Sequence, residues 1–284
     1  MVVLSASTLG APGEDLAHVL TSLRQTGIGG VELRLSTGEI ADPAMTRRRR
    51  REIRRAIADA GVTITGVASY VRVAADLPDD LVLGALIAAL DVAGDLGAPV
   101  VRVFPGAPTH PSTQDRVPEL VESREKVADR AARRLDSVAA YAAECGVVPA
   151  LETHDSHPTG ALIAEVLGRV ESPVGAIWDL VHPWRVGESL TDTWAALGPW
   201  VIDGRGSVQV KDAALPESAT PLPIGLGHLP TDPFGELLVA VGYTGTVTLE
   251  WERAWHPEAA PLEDACRSFR RWSDRQWPGR EGIR

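Results

Sequence analysis

The sequence predicts an α/β protein, a (β/α)8 barrel forming a single domain over residues 1–284, on three observations. Eight short apolar runs recur along the chain, helical patterns separate them, and glycine-bearing helix stops precede several of the runs. An open doubly wound sheet is the alternative, but no GxGxxG follows the first run.

The runs are Val2–Ser7, Gly30–Leu35, Thr63–Ser69, Val100–Phe104, Val147–Glu152, Val174–Asp179, Ser207–Lys211 and Thr246–Glu250. Each has the length of a buried parallel strand and is rich in Val and Ile. Helical patterns cover Asp15–Thr26, Pro43–Ala60, Pro78–Leu96, Asp115–Cys145 and Pro261–Gln276, the fourth read as one helix with an extra turn or as a helical pair. "TGIGG", "AGV", "LGAP", "CGV" and "VGYTG" place glycine where a helix stops before the next strand. No linker or break in composition divides the chain.

The length of 284 residues suits one barrel, and a composition that is 44% hydrophobic and 23% charged suits a globular enzyme. A net charge of −10 disfavours nucleic acid as a partner. The arginine run Thr46–Arg55 is read as a solvated helix face with Glu52 as a local partner, and a subunit contact through it, hence a homo-oligomer, stays open. Cys145 and Cys266 form neither a disulfide framework nor a metal-knuckle spacing, which fits a reducing cytoplasm. "MVVLSASTLG" lacks the pattern of a signal peptide, and no apolar stretch is long enough to span a membrane.

A barrel of this kind carries its chemistry at the C-terminal ends of its strands. There the fifth run ends in Glu152, the sixth in Asp179 and the eighth in Glu250, while the seventh, within "GSVQVKDA", carries Gln209 and Lys211. Strand side chains alternate, so Glu152 shares a face with Val148 and Ala150, Asp179 with Gly175 and Ile177, and Glu250 with Thr246 and Thr248. Three carboxylates converging on an apolar cup need compensating positive charge, because burying unpaired like charges costs several kcal/mol. One reading supplies it with a divalent cation held by Glu152, Asp179, Gln209 and Glu250, an all-oxygen set suited to Mn2+ or Mg2+, with Co2+ or Zn2+ as further options. The other uses Arg102, Arg185, Arg253 and Lys211 as salt-bridge partners. His182, His154, Lys211, Trp184 and Trp255 are the candidate substrate contacts, the two tryptophans as loop-borne walls. Glu32 and Arg102 have inward-compatible parity and are read as a buried structural pair. His110, His157, His228 and His256 lie in proline-rich loops and receive no chemical role.

"VELR", "LETHDS", "WDLVHPWRVGES", "VQVKDA", "PIGLGHL" and "LEWERAWHPE" together resemble the xylose isomerase-like TIM-barrel superfamily, and within it the sugar phosphate isomerase/epimerase group. The resemblance covers nearly the whole chain. It implies a divalent metal held by Glu152, Asp179, position 209 and Glu250, and a substrate-contacting His182 in an Asp-x-x-His pair with Asp179. The family usually has His where this chain has Gln209. The resemblance further implies enediolate chemistry on a carbonyl with a neighbouring hydroxyl, with Glu152 and Glu250 as the acid–base pair.

The function expected is therefore a metal-dependent isomerase or epimerase of a sugar or related polyhydroxy carbonyl compound, with a small-molecule carbohydrate as its partner. A lyase on the same fold, an inosose-type dehydratase or an enzyme cleaving oxidised glycosides, is the nearest alternative. A DNA-repair nuclease of the endonuclease IV kind needs many His ligands, and the chain has 7 His, mostly in loops. A non-catalytic sugar-binding protein is the remaining class, motivated by the missing His at position 209.

Overall fold

The computed structural model describes residues 2–202 and 204–278. The element order is β1 (Val3–Ser7), α1 (Leu16–Thr26), β2 (Gly30–Arg34), α2 (Arg47–Asp59), β3 (Thr63–Arg72), α3 (Asp79–Leu96), β4 (Val100–Phe104), α4 (Arg124–Ser137), α5 (Ala139–Cys145), β5 (Val148–Glu152), α6 (Gly160–Leu167), β6 (Gly175–Asp179), α7 (Val181–Arg185), α8 (Leu190–Val201), β7 (Ser207–Val210), α9 (Thr231–Ala240), β8 (Thr246–Leu249) and α10 (Leu262–Gln276). The strands close into a barrel in chain order, β1 to β8, with helices between them. This is the expected (β/α)8 architecture.

The chain comprises two compact units, Met1–Thr65 with Val208–Arg284, and Gly66–Ser207. In the first, β1 pairs in parallel with both β2 and β8. Its outer layer includes α10, whose Leu262, Ala265, Cys266, Phe269 and Trp272 recur at helical spacing and are buried. In the second, β4 pairs in parallel with β3 and β5, and β5 with β6. Val100, Ala150 and Ile177 of this unit pack together as a buried cluster. Ala150 and Ile177 thus share one buried face, as their parity predicts.

Local chemistry sets the helix limits. Asp15, Thr46, Ser123, Thr159 and Ser189 each accept a hydrogen bond from a first-turn amide, a cap contributing about 1 kcal/mol. Gly27 and Gly97 terminate α1 and α3 in the left-handed conformation, at φ 71° and 74°, which a side chain would strain.

Four elements differ from expectation, the first being α2, expected from Pro43 but helical only from Arg47, after the Thr46 cap. β3 runs to Arg72, three residues past the expected Ser69, and reaches Phe104 of β4 through a shift in register. The stretch from Asp115 is helical only from Arg124, after the Ser123 cap, and divides at Val138 into α4 and α5. His182 and Trp184, expected in a loop, lie on the short helix α7. The arginines of α2 other than half-buried Arg50 face solvent, with Glu52 paired to Arg48 and Arg49, while Ile53 and Ile57 anchor the helix inward. No helix among the described residues is long and apolar enough to cross a membrane.

Candidate active site

The unit built on β3 to β6 gathers Arg102, Phe104, Glu152, His154, Asp179 and His182. Glu152 ends β5 and is 1% exposed; Arg102, from the middle of β4, forms an ion pair with it at 3.1 Å. Arg102 Nη2 also donates to the Ser69 carbonyl at 3.3 Å, and the guanidinium lies 4.4 Å from the Phe104 ring centre. Phe104 stacks on His154 at 4.1 Å, and His154 meets His182 edge-on at 4.6 Å. Glu152, His154 and His182 each present a ligand-type atom within 4.8 Å of the others. His154 thus shares its neighbourhood with Glu152, as their two-residue spacing predicts, although β5 itself stops at Glu152.

Asp179, fully buried at the end of β6, works in two directions. Its Oδ1 accepts the Val181 amide at 2.9 Å and so starts α7, and its Oδ2 lies 3.3 Å from His182 Nε2. The Asp-x-x-His spacing is one helical turn, which explains why these side chains meet. Thr153 holds the Asp179 amide through its hydroxyl at 3.0 Å. Trp184, on the following turn, is half-buried.

Beyond His154 the loop is fixed by its own polar groups. Burial works to raise the Asp155 carboxyl, but hydrogen bonds from His154 and from the amides of Gly106 and Ser156 outweigh it and hold the group below the usual carboxylate range. Burial pulls His157 down to about 4, so it is a neutral imidazole near pH 7, with Nδ1 2.9 Å from the Ser156 hydroxyl. The proline-rich context of His157 reads as surface loop, yet the side chain is buried.

The unit built on β1, β2 and β8 gathers Glu32, Gln209, Lys211, Glu250 and Glu252. Lys211 is ion-paired to Glu250 and, at 2.8 Å, to Glu252. The ion-pair role foreseen for Lys211 is therefore realised, and Glu252 is a partner that the sequence reading missed. Its signal was its position two residues beyond Glu250. Gln209 is fully buried; its Nε2 donates across 3.5 Å to Glu32, and its Oε1 has no hydrogen-bond partner among the described residues. Trp255, 56% exposed on a turn, stands under the Arg34 guanidinium at 4.8 Å.

The salt-bridge reading is thus partly fulfilled: Arg102 serves Glu152 and Lys211 serves Glu250. Arg253 instead pairs with Glu14 at 3.1 Å, and Arg185 donates to Gln114 at 3.2 Å. Asp212, next to Lys211, was also missed. It accepts the amides of Ala213, Gly225, Gly227 and Leu229 and so ties the β7–α9 loop to the strand end.

A sequence profile described as xylose isomerase-like TIM barrel matches residues 20–272. The chain belongs to this family. No curated protein matches the sequence. Among solved structures, D-psicose 3-epimerase from Clostridium cellulolyticum H10 is similar with a TM-score of 0.73 at 15% identity, over 96% of this chain and 98% of that one. The 3-keto-D-glucoside 4-epimerase from E. coli gives 0.72 at 18%, over 96% and 99%. A probable 3-DHS dehydratase of petrobactin synthesis from Bacillus anthracis gives 0.73 at 16%, over 95% and 97%. At these identities the likeness establishes the shared barrel. In this family member, the strand ends carry buried Glu152, Asp179 and Gln209, and a buried Glu250 immediately follows β8.

Proposed function

We propose that the chain is a divalent-metal-dependent isomerase or epimerase acting on a sugar or related polyhydroxy carbonyl compound. The observation that carries this reading is the set of buried carboxylates at the C-terminal strand ends, Glu152, Asp179 and Glu250, in a member of the xylose isomerase-like family. The sugar epimerases among its structural relatives support the substrate class.

The residues present fit a cation. Gln209 Oε1 is a buried acceptor without a hydrogen-bond partner among the described residues, an arrangement costing about 1–3 kcal/mol unless something positive meets it. Glu152, Asp179, Gln209 and Glu250 would hold the ion, and an all-oxygen set matches Mn2+ or Mg2+. When bound, the cation supplies Lewis-acid polarisation of a carbonyl and so acidifies the neighbouring C–H.

The protein's own groups do the rest. Glu152, steadied by Arg102, accepts the proton from the acidified carbon. Glu250 draws a proton from the ammonium of Lys211 beside it and returns that proton from the opposite face. Return to the same carbon gives the epimer; return to the adjacent carbon gives the isomer. His182, held by Asp179, and His154, stacked on Phe104, bind substrate hydroxyls, while Trp184 and Trp255 form apolar walls.

The test is incubation of purified protein with ketoses, inososes and 3-keto glycosides in D2O with added Mn2+. Solvent deuterium is expected at a carbon next to the carbonyl, and Glu152→Gln is expected to abolish it. Exchange that persists in Glu152→Gln, or its absence with every substrate in the metal-loaded wild type, overturns the reading. Loss of water or of an aglycone instead assigns the same site to a lyase, the reaction class of the dehydratase relative.

A further inference from the structure

The buried amide of Gln209 has two ends, and its neighbour distinguishes them. Glu32, on β2, is 3% exposed and its Oε2 lies 3.5 Å from Gln209 Nε2. A carboxylate has no proton to give, so only the NH2 end of the amide can rest against it. Reversing the amide would set the carbonyl oxygen against the carboxylate, two acceptors in a buried space. Glu32 therefore fixes the rotamer in which Oε1, the atom without a hydrogen-bond partner, points away from it.

We propose that Glu32 is a positioning residue for the metal centre: through Nε2 it orients Gln209 so that the carbonyl oxygen, the only end of the amide able to ligate, faces the cation. This rests on Gln209 being a ligand, as proposed above. Glu32 acts through Gln209. An amide is free to turn end for end about its last bond, whereas only one of its ends ligates. A group at position 209 that ligates through an amide thus needs a fixed neighbour on its donor side, and Glu32 is placed to be it.

The experiment is a double-mutant cycle read as Mn2+ affinity, followed by the electron paramagnetic resonance signal of free Mn2+ in titrations of EDTA-treated protein. Gln209→Leu is expected to weaken binding at least tenfold. Glu32→Leu is expected to weaken it by about tenfold, and the double variant to bind no worse than Gln209→Leu alone, because Glu32 has nothing left to orient. Glu32→Gln keeps a carbonyl that can accept from Nε2 and is expected to retain binding within about threefold of wild type. Losses that add in the double variant, or a Glu32→Leu variant that binds as wild type while Gln209→Leu does not, overturn the positioning role and leave the ligand assignment standing. Unchanged affinity in Gln209→Leu overturns the ligand assignment itself. Far-ultraviolet circular dichroism of the metal-free variants reports folding separately; Glu32→Leu that fails to fold transfers the test to Glu32→Ala.

Discussion

Replacing Arg102 with Met isolates what this guanidinium does for Glu152. Both side chains are buried, at 4% and 1% exposure, and their charged atoms are 3.1 Å apart. Removing one member of such a pair leaves a buried charge uncompensated, which costs about 3–5 kcal/mol. The variant also loses the guanidinium's contact with Phe104, at 4.4 Å, an attraction of about 0.5–2 kcal/mol. Met fills much of the vacated stem volume, so the cavity contribution is small beside these. Urea unfolding of EDTA-treated protein, followed by fluorescence of its 8 Trp residues, is expected to show at least about 3 kcal/mol of destabilisation. Arg102→Met/Glu152→Gln removes the stranded charge as well and is expected to recover most of that loss. Saturating Mn2+ is expected to narrow the gap between wild type and Arg102→Met, because a ligated cation supplies the charge that Arg102 gave. A single-variant loss below about 1 kcal/mol, or a double variant no better than the single, would refute the argument that Arg102 compensates Glu152.

Acid titration tests His157. Its folded-state value of about 4 lies below the unfolded value of about 6.5, so the unfolded chain takes up the proton first and stability falls as pH drops between those two values. The loss across that window is about 3 kcal/mol, fully avoided above it, and His157→Asn is expected to flatten the profile there; an unchanged slope counts against the assignment. Gly227→Ala tests the loop tied by Asp212. A Cβ at that position would lie 2.1 Å from Asp212 Oδ1 and 2.5 Å from the Ala213 carbonyl, so the loop must shift, at a cost of about 1–3 kcal/mol in thermal unfolding. A variant as stable as wild type shows that the loop yields freely.

The strands were legible because a buried parallel strand is an unbroken apolar run, and the observed limits lie within one or two residues of the expected ones except at β3. There the apolar run ends near Ser69 while pairing to β4 carries the backbone on to Arg72, an effect of the neighbour and not of local sequence. Parity placed Glu152, Asp179 and Glu250 at the strand ends for the same reason that it placed Ala150 and Ile177 beneath them. Arg102 and Lys211 were legible as salt-bridge partners, but which acid each one meets was not. That Arg102 meets Glu152 depends on the β4–β5 register, which sets Arg102 opposite Ala150 and so two residues below Glu152. Nor was α7, because five residues containing Pro183 carry too little periodicity, and its start is made by the Asp179 carboxylate in three dimensions. Asp212 escaped for a related reason: its four amide partners come from a loop up to 17 residues away in sequence.

Charge relates the two readings that the strand ends first presented. Salt bridges and a cation look like rivals when each acid is considered alone, yet the proposed function uses both. Glu32, Glu152, Asp179 and Glu250 are four buried carboxylates, and Arg102 and Lys211 are the two buried cations paired to members of this set. Fully ionised, the two buried carboxylates and one buried cation of each unit leave a formal charge of −1 in that unit. Arg102 offsets Glu152 in one unit and Lys211 offsets Glu250 in the other, and the proposed cation would answer the remainder. Gln209, where the resemblance leads one to expect His, leaves this balance intact, since a neutral imidazole and an amide carry the same charge. What changes is the donor atom, nitrogen for oxygen, and with it the cations the set favours. An amide, unlike a ring, must also be told which end to present. That requirement gives the buried carboxylate of Glu32 a purpose beyond its charge.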